Sequence, residues 1–451
     1  MDDEFTDVDL IKISKLVVSN SKHVEYIDLS YQNMTEEEIV LYLQLDATRF
    51  STLEKLDKIT EIYLDNNKLR TGFIKLLNLF PICPIGPTNY ITTLSLSNNY
   101  IDDDGAILLA GYIYMNNTLE YLDISENWIS SEGAKELAKS LTKNKSLYEF
   151  NIGHNNISTE GANYIGEMLK LNKHIQILYI ESNKITLFEC ETFYTSIKDN
   201  TTLTFLNMSG NDFAVNELTI DDENPNTILI RCIFGSKSID NLFCKDCNID
   251  DIAIHIIAHT LKENNTLTHL FISENQISNE GAHVLFDALK NNDVTVLKHI
   301  DMVNTHINDD CIDSFADMLG GNSTLQSVDF SYTDISNAGL IELSNNDSFN
   351  NNDSILILNI GENMLDIDIT IDEDIITENP NINFILERNR NLYWHPYYYN
   401  TNLFNNGKHD SHKMIMATLL CNYYGTLNIR LPMLVLIYIF KFFNRKKFLS
   451  I

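Results

Sequence analysis

Positive charge is scarce in this chain of 451 residues, in which 32 Lys and Arg residues stand against 63 Asp and Glu residues. The net charge of -31 at pH 7 repels the phosphates of nucleic acids and of anionic membranes, so we expect neither of them as a partner. The same charge is explained either by solvation of a large surface or by a protein partner with a basic surface.

Cysteine is also sparse, with 7 residues, an odd number, at scattered positions. The N-terminal stretch MDDEFTDVDL lacks the basic and apolar regions of a signal peptide. Both features favour a reducing, intracellular compartment, and we expect a cytoplasmic protein, in which sequons such as those at Asn116, Asn144 and Asn200 arise by chance. Cys244 and Cys247 form a C-x-x-C pair, but no second pair stands at zinc spacing, so we expect no metal.

Long apolar runs and catalytic motifs are missing as well. The most apolar stretch, LPMLVLIYIF (431–440), has a basic residue at each end and is too short for the ~20 residues of a membrane-spanning helix. There is no Gly-rich phosphate loop of the Walker type, and no serine or cysteine nucleophile is arranged around His154, His269 or His299. We therefore expect no membrane span, no cofactor and no enzymatic activity.

What the chain has in abundance is repetition. Residues 119–146, LEYLDISENWISSEGAKELAKSLTKNKS, align without a gap with residues 147–174, LYEFNIGHNNISTEGANYIGEMLKLNKH. The first half follows L-x-x-L-x-L-x-x-N-x-I, which predicts a short strand and then an inward turn, and the second half spaces apolar residues three and four apart, which predicts a helix. Since one unit cannot bury its apolar edge alone, copies must stack.

The same frame fits twelve successive units. Their strands are predicted to start at Val24, Ile59, Ile91, Leu119, Leu147, Ile175, Leu203, Ile239, Leu267, Leu297, Leu325 and Ile355. The ninth position of eight units holds an asparagine, which we expect to be buried and to bond the backbone of adjacent turns. The other four hold Gln32, Cys247, Thr305 and Thr333, where we expect weaker bonding and local softness.

A Gly-Ala pair opens the helical half of several units, as at Gly133-Ala134 and Gly161-Ala162. With the 28-residue unit it resembles the ribonuclease-inhibitor-like class of the leucine-rich-repeat superfamily. The resemblance implies an α/β solenoid, a horseshoe of about twelve repeats with parallel strands on its concave face and helices on its convex face. We predict helical caps over residues 1–23 and 380–451 and the solenoid over residues 24–379. Two repeats carry insertions, at 80–90 and 214–238, which we expect to interrupt the helical side.

Acidic and aromatic residues crowd positions 2, 3, 5, 7 and 8 of the units, which should face or flank the concave surface, and only Lys245 and Lys298 there are basic. Aromatic anchors in a field of one sign suit a protein interface. The alternative is that strands favour aromatic residues anyway and that the acidity mirrors the whole chain. We predict that a partner protein with a basic surface contacts exposed side chains of Tyr121, Asp123, Glu126, Tyr148, Glu149, Tyr179, Glu181, Phe205, Phe243 and Phe271.

A second resemblance lies near the C-terminus, where RLPMLVLIYIFKFF (430–443) is similar to the opening of an F-box. That family docks this helix onto the adaptor of a cullin ubiquitin ligase, and large DNA viruses carry similar truncated motifs at the ends of repeat proteins. The chain stops eight residues later, before the further helices of an F-box, and the alternative is the last amphipathic helix of the cap. The resemblance assigns adaptor docking to Leu431, Pro432, Leu436, Ile439, Phe440 and Phe443.

Together these patterns predict a non-catalytic scaffold that binds another protein through its concave face. The F-box-like segment raises an alternative, an adaptor that holds a target on its repeats and recruits a ubiquitin ligase. A third possibility is a GTPase-activating protein, because one subgroup of this repeat class serves the small GTPase of nuclear transport. Arg70, just after Leu69, is the candidate arginine by its position. The partner's identity and the oligomeric state stay open.

Overall fold

Strands and helices alternate along the computed structural model, which describes residues 26–35, 37–38, 59–78, 91–215, 224–352, 354–355, 357–360 and 363. The chain divides into two compact units, Met1–Asn389 and Arg390–Ile451, and all the described residues lie in the first. The predicted caps (1–23 and 380–451) and the F-box-like segment (430–443) lie outside the described residues.

Twelve strands of three residues each form one parallel sheet, in which they follow one another in chain order. Each strand begins two residues after its predicted start, so the predicted solenoid of about twelve repeats is confirmed. The strands are β1 Tyr26–Asp28, β2 Glu61–Tyr63, β3 Thr93–Ser95, β4 Tyr121–Asp123, β5 Glu149–Asn151, β6 Ile177–Tyr179, β7 Phe205–Asn207, β8 Asn241–Phe243, β9 His269–Phe271, β10 His299–Asp301, β11 Ser327–Asp329 and β12 Ile357–Asn359.

Helices connect the strands and pack against their neighbours in chain order. Their inward side carries apolar residues at helical spacing, such as Ala134, Leu137 and Leu141, all of them buried. The helices are α1 Phe73–Leu77, α2 Asp103–Met115, α3 Ser131–Leu141, α4 Ser158–Leu171, α5 Glu191–Asp199, α6 Pro225–Phe234, α7 Asp251–Leu261, α8 Asn279–Leu289, α9 Ile312–Gly321, α10 Asn337–Ser344 and α11 Asp347–Asn350.

The core lies between the sheet and the helices. The middle residue of each strand is buried there, as Leu122, Phe150 and Leu178 show. Because side chains alternate along a strand, the first and third residues project from the opposite face of the sheet. That opposite face, which we call the concave face, is lined by side chains that none of the described helices covers.

Asparagines at the ninth position form a buried ladder that joins consecutive turns. The Asn155 amide donates to the carbonyls of Ile124, Ile152 and Gly153 at 3.0–3.2 Å, and its Oδ1 accepts the backbone N–H of Ile129 at 3.0 Å. Each amide thus satisfies groups of its own repeat and of the preceding one, as predicted. The members seen in this role are Asn67, Asn99, Asn127, Asn155, Asn183, Asn211, Asn275 and Asn363.

The substituted turns bond less completely, as expected. Cys247 donates through sulfur to the carbonyls of Met208 and Lys245, at 3.4 Å each. The hydroxyls of Thr305 and Thr333 each donate to a carbonyl of their own repeat at 2.8 Å. The local softness expected at these turns remains a prediction.

A second asparagine ladder, which the sequence analysis missed, lies where each helix turns back into the next strand. Asn144 donates to the carbonyls of Ile113 and Asn116 and accepts the N–H groups of Ser146 and Leu147 at 3.0 and 2.8 Å. The same bonding to the N–H groups two and three residues on recurs at Asn116, Asn172, Asn200, Asn264, Asn322 and Asn352. The sequons therefore arise from this turn rather than by chance, and their asparagines are buried.

The glycine of the Gly-Ala pair makes room for a carboxylate of the preceding helix. Asp103 accepts the N–H groups of Ser130 and Gly133 at 2.8 and 3.0 Å, and a Cβ added at Gly133 would lie 2.6 Å from the same oxygen. Asp251 and Asp309 approach Gly281 and Gly339 in the same way. A close approach, and not an unusual backbone angle, selects glycine here.

One expectation about the insertions was wrong. Residues 214–238 were expected to interrupt the helical side, but α6 lies within them and its apolar residues Ile230 and Ile233 are buried. Pro225 stands in the first turn of α6, where its missing N–H needs no partner, and the side chain of Asn224 caps the helix.

The asparagine ladder yields a direct test of stability. Replacing Asn155 with leucine (Asn155→Leu) should orphan the buried Ile129 amide, at roughly 1–3 kcal/mol, and remove one of the two side-chain hydrogen bonds to the Ile124 carbonyl. The control is Asn156→Leu at the exposed next residue, for which we expect a change below about 0.5 kcal/mol. Urea unfolding followed by circular dichroism measures both; equal midpoints for the two variants would contradict the role of the ladder.

Candidate functional site: the concave face

The ten predicted partner-binding residues lie on or beside the concave face, but they are not uniformly exposed. Tyr148 and Glu126 are exposed, whereas Asp123, Glu149 and Phe271 are only 8%, 3% and 3% exposed. The expectation that the whole set is exposed was therefore wrong. Parallel strands stand close enough for side chains of adjacent repeats to cover one another, and that shielding decides the chemistry of this face.

Five rings form a continuous stack across five strands, which we call the aromatic ladder. Its members are Tyr179, Phe205, Phe243, Phe271 and His299, with successive ring centroids 4.9, 5.0, 3.9 and 5.0 Å apart. Such pairs contribute about 0.5–1.5 kcal/mol each beyond the area they bury. The side chains of Tyr179, Phe205 and Phe243 are half-buried, so the ladder is an apolar strip that solvent can still partly reach.

Three carboxyls, the proximal carboxyls Asp123, Glu149 and Glu181, gather beside the Tyr179 end of the ladder. Asp123 accepts the hydroxyls of Ser125 at 2.6 Å and Tyr121 at 3.2 Å. Glu149 accepts a hydrogen bond from the Tyr179 side chain. Burial, with the nearby charge of Asp123, raises the pKa of Glu149 to about 7.

Glu181 is the least satisfied of the proximal carboxyls. Its carboxylate packs onto Gly153, where an added Cβ would lie 2.5–2.9 Å from the carboxylate atoms. The Oε2 atom is shielded from solvent and has no hydrogen-bond partner. Burial, with the charges of Asp123 and Glu126, raises the pKa of Glu181 to about 8. An anionic oxygen in this position would gain from a cation supplied from outside the chain.

Two more acids, the distal carboxyls Asp301 and Asp329, lie at the other end of the aromatic ladder. Burial, with the charge of Asp329, raises the pKa of Asp301 to about 7. Asp329 is held by the backbone N–H of Ser331 and by the amide of Asn359, at 2.9 and 2.8 Å. The sequence analysis left Asp301, Asp329 and His299 out of its candidate residues, although their strand positions matched those of the residues it chose.

The residue at the eighth position adopts a left-handed backbone in repeat after repeat. Glu126, Asp246, Glu274 and Tyr332 have φ between 51° and 56° although none of them is glycine. Side chains with a Cβ adopt this conformation at a cost, of about 1–2 kcal/mol per residue. All four are exposed, so exposed acids line one margin of the concave face at Glu126, Asp246 and Glu274.

The other features considered in the sequence analysis are the cysteine pair, Arg70 and a membrane-spanning helix. Cys244 and Cys247 are both buried, burial raises the pKa of the Cys244 thiol, and no group of three potential metal-ligating side chains occurs within the described residues. Arg70 is exposed, with φ 47°. Within the described part of the chain, no helix combines the length and the apolar character needed to cross a bilayer.

Comparison with known proteins agrees with this geometry. A family model described as Leucine Rich repeat matches residues 89–110, 116–138, 143–166, 199–214, 263–286 and 321–344. The segment 116–138, for example, contains β4 and the start of α3. The matched segments are leucine-rich repeats, and the fold is that of a leucine-rich-repeat solenoid.

The similar proteins align with only about a third of this chain. The NACHT, LRR and PYD domains-containing protein 5 of Mus musculus is 26% identical over 162 residues, 35% of this chain and 13% of its own length. Its Homo sapiens counterpart is 23% identical over 159 residues, again 35% and 13% of the two chains. Protein 4E of the same description, from Mus musculus, is 28% identical over 154 residues, 34% and 15%. The chain therefore spans 13% to 15% of the length of these relatives.

Among solved structures, one similar chain is described as Leiomodin-1 Actin-Binding Site 2 (ABS2). It is 18% identical, covers 32% of this chain and 79% of its own, and has a TM-score of 0.25. We draw nothing from a likeness this weak.

The proximal carboxyls make stability depend on pH. A carboxyl with a raised pKa binds its proton more tightly in the folded state, so stability falls as pH rises from about 4.5 towards 7 or 8. We expect Glu149→Gln to stabilise the protein at pH 8, by roughly 1–3 kcal/mol, and to change it little at pH 5. Denaturant unfolding at the two pH values measures this, with Glu167→Gln on the exposed side of α4 as control. A gain of the same size at both pH values would refute the assignment.

Proposed function

We propose that this chain is a non-catalytic scaffold of the ribonuclease-inhibitor-like class that binds a partner protein with a basic surface through its concave face. The aromatic ladder is the observation that carries the proposal. Its half-buried rings keep apolar surface in contact with water, and a partner that covered them would gain about 25 cal/mol per Å². A run of stacked rings between two groups of carboxyls is the composition of a protein-binding surface.

Charge supports a basic partner. The carboxyls on and beside the concave face outnumber its basic residues, of which Lys245 is already paired with Glu274 at 2.8 Å. Exposed acids at the margin, such as Glu126 and Asp246, act over several ångströms of water and would steer the encounter. Buried carboxyls, such as Glu149, gain from a cation only once water has been excluded.

The steering role can be tested by reversing exposed charges. The triple variant Glu126→Lys, Asp246→Lys and Glu274→Lys should slow association several-fold and weaken its dependence on salt, because it removes the field that attracts a basic partner. The matched control reverses Glu167, Glu263 and Asp313, which are exposed on α4, after α7 and on α9. Surface-plasmon kinetics at two salt concentrations, against the partner captured from cell lysate, is the measurement. Equal association rates for the two triple variants would exclude steering by this face.

The aromatic ladder should control the rate of dissociation. Phe205→Ala with Phe243→Ala should speed dissociation tenfold or more, about 1.4 kcal/mol, while association changes little. The control is Phe188→Ala, because this ring is 72% exposed and lies outside the concave face. If both variants bind like the wild type, the partner occupies another surface. The next candidate surface for the partner would then be α2, where the apolar side chains of Ile107, Leu108 and Met115 are exposed.

Identification of the captured proteins by mass spectrometry decides between the scaffold and its alternatives. Recovery of cullin-ligase subunits that is lost on deletion of residues 430–443 would support the F-box-like segment instead. Recovery of a small GTPase whose hydrolysis slows with Arg70→Ala would support the GTPase-activating role. A partner that is lost from the Phe205→Ala, Phe243→Ala variant alone supports the scaffold.

A further inference from the structure

We propose that the concave face from β5 to β10 binds one continuous segment of its partner, with apolar side chains over the aromatic ladder and a basic side chain at each end. One basic group would lie over Glu181 and the other over Asp301. The inference rests on the proposed function and deepens it, since it specifies the chemistry and the length of what binds.

Charge is segregated along this part of the face. The carboxyls lie at its two ends, whereas the outward residues of the strands between them, β7 to β9, carry none. Those residues are Phe205, Asn207, Asn241, Phe243, His269 and Phe271. Burial, with the charge of Lys298, lowers the pKa of His269 to about 4, so these outward strand residues are uncharged at pH 7. The acids of this middle part, Asp246 and Glu274, lie at the margin of the face, and Glu274 is paired with Lys245. A partner that was basic along its whole length would place some of its cations over the rings and over the neutral His269, where no outward strand residue offers a carboxylate to pair with them.

Among the described residues, neither end has a cation that could satisfy it. At the proximal end, the Oε2 atom of Glu181 is shielded and without a partner. The charged groups around it, Asp123 and Glu126, are themselves acidic. At the distal end, Asp301 faces Asp329, and the ammonium of Lys245 nearby is already shared with Glu274. A Lys or Arg side chain from outside would supply the missing charge at both places.

The spacing of the ends sets the length of the segment. From β6, which Glu181 follows, to β10 there are four strand intervals of ~4.8 Å, or about 19 Å. A helix covers this distance in about 13 residues, and an extended chain in about six. A single linear segment can therefore reach both ends and still place several apolar side chains on the rings.

The test uses peptides as defined probes for the full-length chain. Random peptides of about 16 residues, displayed on phage, are selected for binding to the wild-type protein at pH 7.5 and low salt. Selected peptides are then synthesised and titrated by fluorescence anisotropy against the wild type, Glu181→Gln and Asp301→Asn. Both substitutions remove an ionisable carboxyl and keep the shape of the side chain, and a bound cation would favour the ionised form of that carboxyl. Glu167→Gln and Asp313→Asn, at exposed positions on α4 and α9, are the matched controls.

The expected result is a selected motif with Lys or Arg at both ends of an apolar core. Its affinity should fall about tenfold with Glu181→Gln and again with Asp301→Asn, and it should be unchanged in the controls. When the basic residue at one end of the peptide is replaced, one of the two protein substitutions should no longer weaken binding, while the other should weaken it as before. That pairing of ends could not follow from a general loss of negative charge.

Three results would overturn the inference. The first is a basic residue at only one end of the selected peptides. The second is a response to the control substitutions as strong as the response to Glu181→Gln and Asp301→Asn. In the third, no peptide is selected although the captured partner still requires Phe205 and Phe243. In that case the proposed function stands, and the partner binds through a folded surface and not through a linear segment. If the captured partner is also indifferent to Phe205 and Phe243, both the inference and the proposed function fail.

Discussion

Burial of asparagine amides between consecutive turns is the interaction on which the rest of this structure depends. A three-residue strand has too few hydrogen bonds to persist alone, and its turn leaves backbone groups without partners. The amide of Asn155 supplies partners in its own repeat and in the one before it, and Asn144 does the same on the helical side. Each repeat is therefore stable only between neighbours, which is why the chain repeats its unit instead of varying it.

Regular stacking also creates the chemistry of the concave face. Strands held at a constant spacing bring their outward side chains into columns, so each side chain is shielded by the ones beside it. Phe243 and Phe271 stack at 3.9 Å for this reason. Glu149 and Asp301 lose water for the same reason, and the loss raises the pKa of each to about 7. Rings and carboxyls thus acquire their properties from the array, and not from their own repeat.

The resulting surface differs from a uniformly acidic one. Its exposed acids, such as Glu126, act at long range in water, whereas its shielded acids, such as Glu181, act only on a group that reaches them. The uncharged outward residues of β7 to β9 separate the two groups of shielded carboxyls. If a partner binds this face as proposed, the order of its charged and apolar groups would matter as well as its net charge.

The sequence by itself determined the number of repeats, the start of each strand and the asparagine ladder. These features depend on the spacing of apolar residues and on asparagines whose role follows from their position in the unit. They can therefore be recognised within a single unit. The aromatic ladder and the shielded state of Asp123, Glu149 and Asp301 were decided only by the tertiary structure. These properties depend on residues of different repeats, such as Tyr179 and Phe205, which are 26 positions apart and whose rings meet only when the repeats are stacked in register. The sequence shows which residues line the face, but which of them water can reach depends on their neighbours in the sheet.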